Sequence, residues 1–360
     1  MRSTTPTSPT SAETPSIARS SASPEHASPT RDSRNEPGCA LVAIGGGTGL
    51  SVLLRGLKHY AGAGLRQITG VVTVTDDGGS SGRLRREFGV LPPGDIRNCI
   101  AALADDEDLL TRLFQYRFPN GGGLVGHSFG NLFLTALTGI TGDFHQAILM
   151  AEGILRVRGK IFPATLQDVV LRGRGVSGQI YEGESAVGTS GEKLAGLEID
   201  PPAPPAFPPA MQALEAADLI LLGPGSLYTS IVPNLMIPGI RQALRKARAR
   251  RVLLLNLMTQ PGETDGMMGI DHVQAIEQLA GKGLVDIVLA NAAPIPPHLL
   301  ELYAETGSEP VHFRREELEA MGLQVHEADL LAEGDLIRHD SAKLGRAVLD
   351  LARRENAAAA

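Results

Sequence analysis

Two patterns in this 360-residue chain predict a Rossmann-like three-layer α/β sandwich with a mostly parallel sheet and a helical insertion. The first is the opening unit VAIGGGTGLSVLLRGL, Val42 to Leu57. There an apolar run (Leu41 to Ile44) meets a glycine turn, followed by helical apolar spacing at Val52, Leu53, Leu54 and Leu57. The second is a later series of short, mainly apolar runs, Leu219 to Leu222, Val252 to Leu257 and Asp286 to Ala290, separated by helical stretches. Near-continuous apolar strands are buried on both faces, and alternating β and α elements put the covering helices there.

Taken in order, residues 1–37 are rich in Ser, Thr and Pro and lack the apolar core of a secretory signal. They are expected to be a disordered tail, because they cannot bury enough apolar surface to offset the entropy of ordering. A single domain is expected over 38–354, with a disordered end at 355–360. Ile68 to Thr75 (ITGVVTVT) predicts the second strand. Helical patterns at Arg97 to Ala104, Leu109 to Phe118, Gly130 to Leu137 and Phe144 to Val157 follow without an intervening strand, and these form the predicted insertion. Residues 160–200 alternate and are punctuated by turns, which predicts short antiparallel strands at a sheet edge. The Pro-rich Ile199 to Pro209 reads as a surface loop inside one domain, since Met211 to Ala217 restarts a helix that feeds the next strand.

Composition narrows the function classes. Formal net charge is −7, and the tail contributes nothing to it: its four Arg balance Glu13, Glu25, Asp32 and Glu36. The acidic excess of the folded part, 4% aromatic content and the absence of Trp argue against nucleic-acid binding. Two cysteines, Cys39 and Cys99, without CxxC spacing suggest neither a disulfide framework nor a zinc site and fit a reducing cytoplasm. No apolar run has the length of a membrane span. The basic stretch Arg241 to Arg251 reads as a solvated helix face.

The candidate site begins at Gly45, Gly46, Gly47, Thr48 and Gly49. Strand, glycine turn and helix N-terminus together make an anion site, where outward backbone N–H groups and the helix dipole favour phosphate. The loop lacks the GK[ST] of a Walker A motif, and Leu50 stands where a dinucleotide fingerprint needs its third glycine, which disfavours an NAD(P) oxidoreductase. Asp76 and Asp77 end the second strand, at the sheet edge where open α/β proteins bind ligands. Such carboxylates can hold Mg²⁺, accept sugar hydroxyls, or cap a helix beginning near Ser81. In PPGDIRN, Asp95 reads as an N-cap and Arg97 and Asn98 as phosphate or sugar donors. GHSFGN puts His127 and Asn131 at a helix mouth with Ser128 as N-cap, and no acid partner completes a Ser–His triad. LILLGPGSLY repeats the strand-to-loop arrangement with Gly223, Gly225, Ser226 and Tyr228, and two such loops in one sheet can share a diphosphate across a crevice. Asn256, Thr259, Gln260 and Glu263 offer a third polar edge.

The ordered motifs VAIGGGTGLS, TDDGGSSGRLRREFG, PPGDIRN, GHSFGNLFL, ADLILLGPGSLYTSIVPNL and MTQPGETDG, over about 40–345, closely resemble the gluconeogenesis-factor family (UPF0052). That family is a branch of the CofD-like superfamily, whose enzymes include the 2-phospho-L-lactate transferases. The resemblance implies a cytoplasmic protein that binds a UDP-sugar such as UDP-N-acetylglucosamine and supports cell shape and envelope synthesis during gluconeogenic growth. It leaves room for a homo-oligomer and for a protein partner in envelope synthesis. By resemblance, Gly45 to Gly49 and Gly225 to Ser226 carry phosphates, while Asp76 and Asn131 contact nucleoside or sugar. The second reading it implies is a Mg²⁺-dependent transferase acting on a nucleotide-activated substrate. Family members often carry an aromatic residue after GETDG; Met267 and Met268 stand here instead, so no stacking contact is carried over.

Overall fold

The computed structural model describes residues 38–105 and 109–359; the expected tail over 1–37 lies outside the described residues. β1 (Cys39–Gly45), α1 (Gly47–Leu57) and β2 (Leu65–Val72) open the fold. The helical insertion follows as α2 (Gly79–Phe88), α3 (Gly94–Leu103), α4 (Leu109–Gln115), α5 (Phe129–Thr141) and α6 (Phe144–Ile154). Next come β3 (Lys160–Pro163), β4 (Val170–Gly175), β5 (Ile180–Glu182), the short α7 (Glu184–Gly188) and β6 (Leu194–Asp200). The second half runs α8 (Pro208–Glu215), β7 (Leu219–Leu222), α9 (Val232–Met236), α10 (Pro238–Lys246) and β8 (Arg250–Leu254). It ends with α11 (Gly269–Ala280), β9 (Ile287–Asn291), α12 (Pro297–Ala304), α13 (Arg315–Ala320), β10 (Gln324–Ala328) and α14 (Ser341–Ala359).

Seven strands form one sheet in the order β10-β9-β8-β7-β1-β2-β3. Every pairing in it is parallel. The chain leaves β1 toward β2 and β3, then returns to β1's other side at β7, so the strand order reverses between β1 and β7. Ligands in open α/β sheets bind at such a switch point.

Strand geometry explains the two cores. Successive side chains point to opposite faces, and the strands obey this residue by residue. Leu41, Ala43, Leu219, Leu221, Val252, Leu254, Ile287 and Leu289 pack with α1, α3 and α14. Val42, Ile44, Ile220, Leu222, Leu253, Leu255, Val288 and Ala290 pack with α8, α10 and α11 on the other face.

The structure corrects three expectations. Residues 160–200 do not form one antiparallel edge: β3 joins the parallel sheet, while β4, β5 and β6 make a separate antiparallel sheet. α2 begins at Gly79 rather than near Ser81, and Gly78, not an aspartate, occupies its N-cap. α14 continues through Ala359, past the end expected at 354.

Candidate functional site

β1 delivers the chain to Gly46, whose backbone is extended, and then to Gly47, which starts α1 at φ +59. An L-residue in that left-handed conformation costs about 1–2 kcal/mol. No side chain caps α1. Two residues on, a Cβ at Gly49 would stand 2.4 Å from the Pro224 carbonyl oxygen, so the absence of one lets the β1 loop touch the β7 loop.

The β7 loop, Gly223 to Ser226, is anchored to the end of β1. Gly223 N–H donates to the Ile44 carbonyl at 2.8 Å. The buried Asn234 amide donates to the Gly45 and Ser230 carbonyls at 3.2 and 2.8 Å. A buried acid from the third loop, Glu263, accepts from the Tyr228 and Thr229 N–H groups at 2.7 and 3.3 Å. It also bonds the Ser226 side chain, and burial lifts its carboxyl to about 7. Gln260 Nε2 donates to Ser226 Oγ at 2.8 Å.

These loops wall a cavity of ≈ 540 Å³. The β1 loop contributes Gly46 to Gly49 and Ser51; the β7 loop contributes Pro224 to Ser226, Thr229 and Ser230; residues 256–258 and Gln260 close a third side. Val52, Arg55, Glu184, Ile337, Arg338 and His339 complete the lining. A second cavity of ≈ 330 Å³, lined by Ile295 and Phe313 among others, shares Asn256 and Leu257 with it.

The buried Asp95 and Arg97 and the half-buried Asp76 form a polar cluster behind the first loop. Asp95 is not the N-cap of α3; Pro93 and Gly94 make the turn, and the Asp95 carboxyl reaches across to accept from the Gly47 backbone. Burial and the neighbouring Asp76 raise it to about 7. Asp95 Oδ2, Arg97 Nε and Asn131 Oδ1 are buried without a hydrogen-bond partner. Asn131 Nδ2 donates to Ser81 Oγ at 3.4 Å, and Ser128 caps α5 as expected. His127 Nδ1 pairs with Ser80 Oγ at 2.9 Å, and burial lowers its basicity.

Of the residues singled out in sequence, Gly46, Gly47, Thr48, Gly49, Gly225, Ser226, Asn256 and Gln260 line the main cavity. Gly45, Asp76, Asp77, Arg97, Asn98, His127, Asn131, Gly223 and Tyr228 do not. Tyr228 turns its hydroxyl to the Met267 sulfur at 3.9 Å and is buried in the core. Asp77 is drawn away to Ser185, accepting from its N–H and hydroxyl at 2.9 and 2.7 Å, while Asp76 accepts from Gly78 N–H. The two adjacent carboxylates therefore do not converge as a chelate. Among the described residues no cluster of three His, Cys, Asp or Glu side chains could hold a metal ion. Mg²⁺ commonly relies on one or two carboxylates plus substrate phosphates, and Glu184 is the one carboxylate among the cavity-lining residues. Sequence reasoning missed Arg55, Glu184, Arg338 and His339. Arg55 carried the one available signal, a cation one helical turn after Ser51 on the face that meets the loop.

Residues 41–331 match the family described as 2-phospho-L-lactate transferase CofD. The gluconeogenesis factor of Bacillus subtilis is 46% identical over 86% of this chain and 97% of its own. That of Halalkalibacterium halodurans is 45% identical, covering 86% and 95%. A crystal structure of a upf0052 family member from Bacillus halodurans superposes with a TM-score of 0.83 at 44% identity, over 87% of this chain and 100% of that one. The chain belongs to the CofD family, in its gluconeogenesis-factor (UPF0052) branch.

Proposed function

We infer that this protein is a nucleotide-sugar-binding regulator. Its ligand is a UDP-sugar such as UDP-N-acetylglucosamine, and its role is support of envelope synthesis and cell shape during gluconeogenic growth. The observation that supports this reading is the contact of two glycine loops at the β1/β7 switch point around one ≈ 540 Å³ cavity. That volume falls within the roughly 300–1,000 Å³ of small-molecule sites. Backbone N–H groups at the start of α1 after Gly47, whose own N–H is given to Asp95, with Arg55 and Arg338 on the rim, supply donors and positive charge suited to a diphosphate. The gluconeogenesis factors among its relatives support the gluconeogenic part of the reading, and the motif resemblance supports the envelope part.

Calorimetric titration with UDP-N-acetylglucosamine, UDP-glucose and GDP, with and without Mg²⁺, followed by mass analysis of each mixture, tests it. Tight UDP-sugar binding with the ligand recovered intact is expected, together with its loss in Gly47→Val. Mg²⁺-dependent consumption of a nucleotide-linked substrate would replace this reading with the transferase.

A further inference from the structure

The cavity presents donors on its first loop; the β7 side presents the opposite. Ser226 has one hydroxyl proton and two lone pairs. Gln260 Nε2 donates into one lone pair, and the proton goes to the Glu263 carboxylate, an acceptor when ionised. What Ser226 Oγ keeps is a single lone pair. Because the Ser226 proton is committed, only the NH₂ end of Gln260 can face it, which leaves Gln260 Oε1 buried without a partner. His339 adds a third group. Its ring bonds the Leu255 backbone, whose N–H is already given to Leu289, so the ring donates to the carbonyl. Burial holds this imidazole neutral, down at about 4, and a neutral ring that donates from one nitrogen accepts at the other. That other nitrogen, Nε2, is buried and has no partner.

We propose that Ser226 Oγ, Gln260 Oε1 and His339 Nε2 form an acceptor wall, so that the site selects a diphosphate carrying hydroxyl or amide N–H donors and orients that polyhydroxyl portion away from the α1 N-terminus. The proposal rests on the nucleotide-sugar reading and assigns the two ends of the ligand to two sides of the cleft. It also assigns Ser226 to hydroxyl recognition, where the family resemblance implied phosphate. Glu263 is the positioning residue: it fixes the direction of the Ser226 proton. It also occupies the Tyr228 and Thr229 amides with a carboxylate of the protein's own. His339 lies past residue 331, where the match to the transferase family ends.

The experiment measures the affinities of inorganic diphosphate, UDP and UDP-N-acetylglucosamine at about pH 8, where Glu263 is ionised. It compares wild type with Gln260→Met and His339→Phe, each checked for an unchanged thermal melt, and with Gly47→Val, checked to be folded at the assay temperature. If sugar hydroxyls meet the wall, the advantage of UDP-N-acetylglucosamine over UDP falls about five-fold in each of the first two variants. If ribose hydroxyls meet it, UDP loses that factor relative to inorganic diphosphate. Equal losses for all three ligands, or none, overturn the acceptor wall. Should the variants fold poorly, wild type with UDP-glucose analogues carrying fluorine in place of single hydroxyls gives the same reading, because fluorine cannot donate. A uniform response to every replacement overturns the proposal. Undiminished diphosphate binding in Gly47→Val counts instead against the nucleotide-sugar site itself.

Discussion

At the scale of single residues, the site depends on what a side chain would displace. A Cβ at Gly49 would stand 2.4 and 2.7 Å from the carbonyl oxygen and carbon of Pro224, backbone atoms that cannot swing aside. Gly49→Ala should therefore push the two loops apart, lower stability by about 1–3 kcal/mol and weaken UDP-sugar binding at least about ten-fold, as read by denaturant unfolding and calorimetry. Unchanged affinity would mean that the loops need not touch to bind. Glycines of this kind are readable in sequence, because positive φ and close approach demand that residue type. His339 is not, and Glu263 is readable only as a polar position after its strand, without its buried partners. Glu263 bonds a backbone N–H 35 residues earlier, and His339 reaches the cavity from beyond β10. Their chemistry comes from what the fold brings together, and no local pattern announces it.

At the scale of elements, the helical stretch after β7 is tied to the end of β1 through Asn234, which is fully buried and donates to both Gly45 and Ser230. Asn234→Leu keeps the branched shape with more bulk and leaves the Ser230 carbonyl without that donor. We expect a loss of about 1–3 kcal/mol, seen as a lower denaturant midpoint at unchanged slope. The parallel strands β1, β2, β7, β8 and β9 were readable because their apolar runs are continuous. β10, QVHEA, was not, since it is an edge strand with only Val325 fully buried and its polar residues mask the run. β4 to β6 misled for a related reason: alternation identifies a half-buried antiparallel strand but does not say which sheet it joins.

At the scale of the whole molecule, the order of the seven strands places both glycine loops at one switch point and gathers buried acids beneath them. Asp95 and Glu263 are each raised to about 7 by burial, Asp95 also by Asp76. A carboxyl raised in the folded state binds its proton more tightly there than in the unfolded chain, so its contribution to stability is present at low pH and lost as pH rises through about 7. His339, held down at about 4, works in the other direction only below the ordinary histidine value of about 6.5. Between about pH 8 and 6.5, acidification should therefore raise the melting temperature, and Asp95→Asn should remove part of that rise. A flat profile in wild type would show that these carboxyls are better solvated than their burial implies.

The central claim is that the β1 and β7 loops close on one ligand. Amide hydrogen exchange with and without UDP-N-acetylglucosamine reads both loops at once. The account predicts that peptides spanning 46–50 and 225–230 gain protection together, at the same ligand concentration, while those of the exposed α5 surface stay unchanged. Protection confined to the neighbouring cavity around Ile295 and Phe313, with the glycine loops exchanging as before, would contradict it.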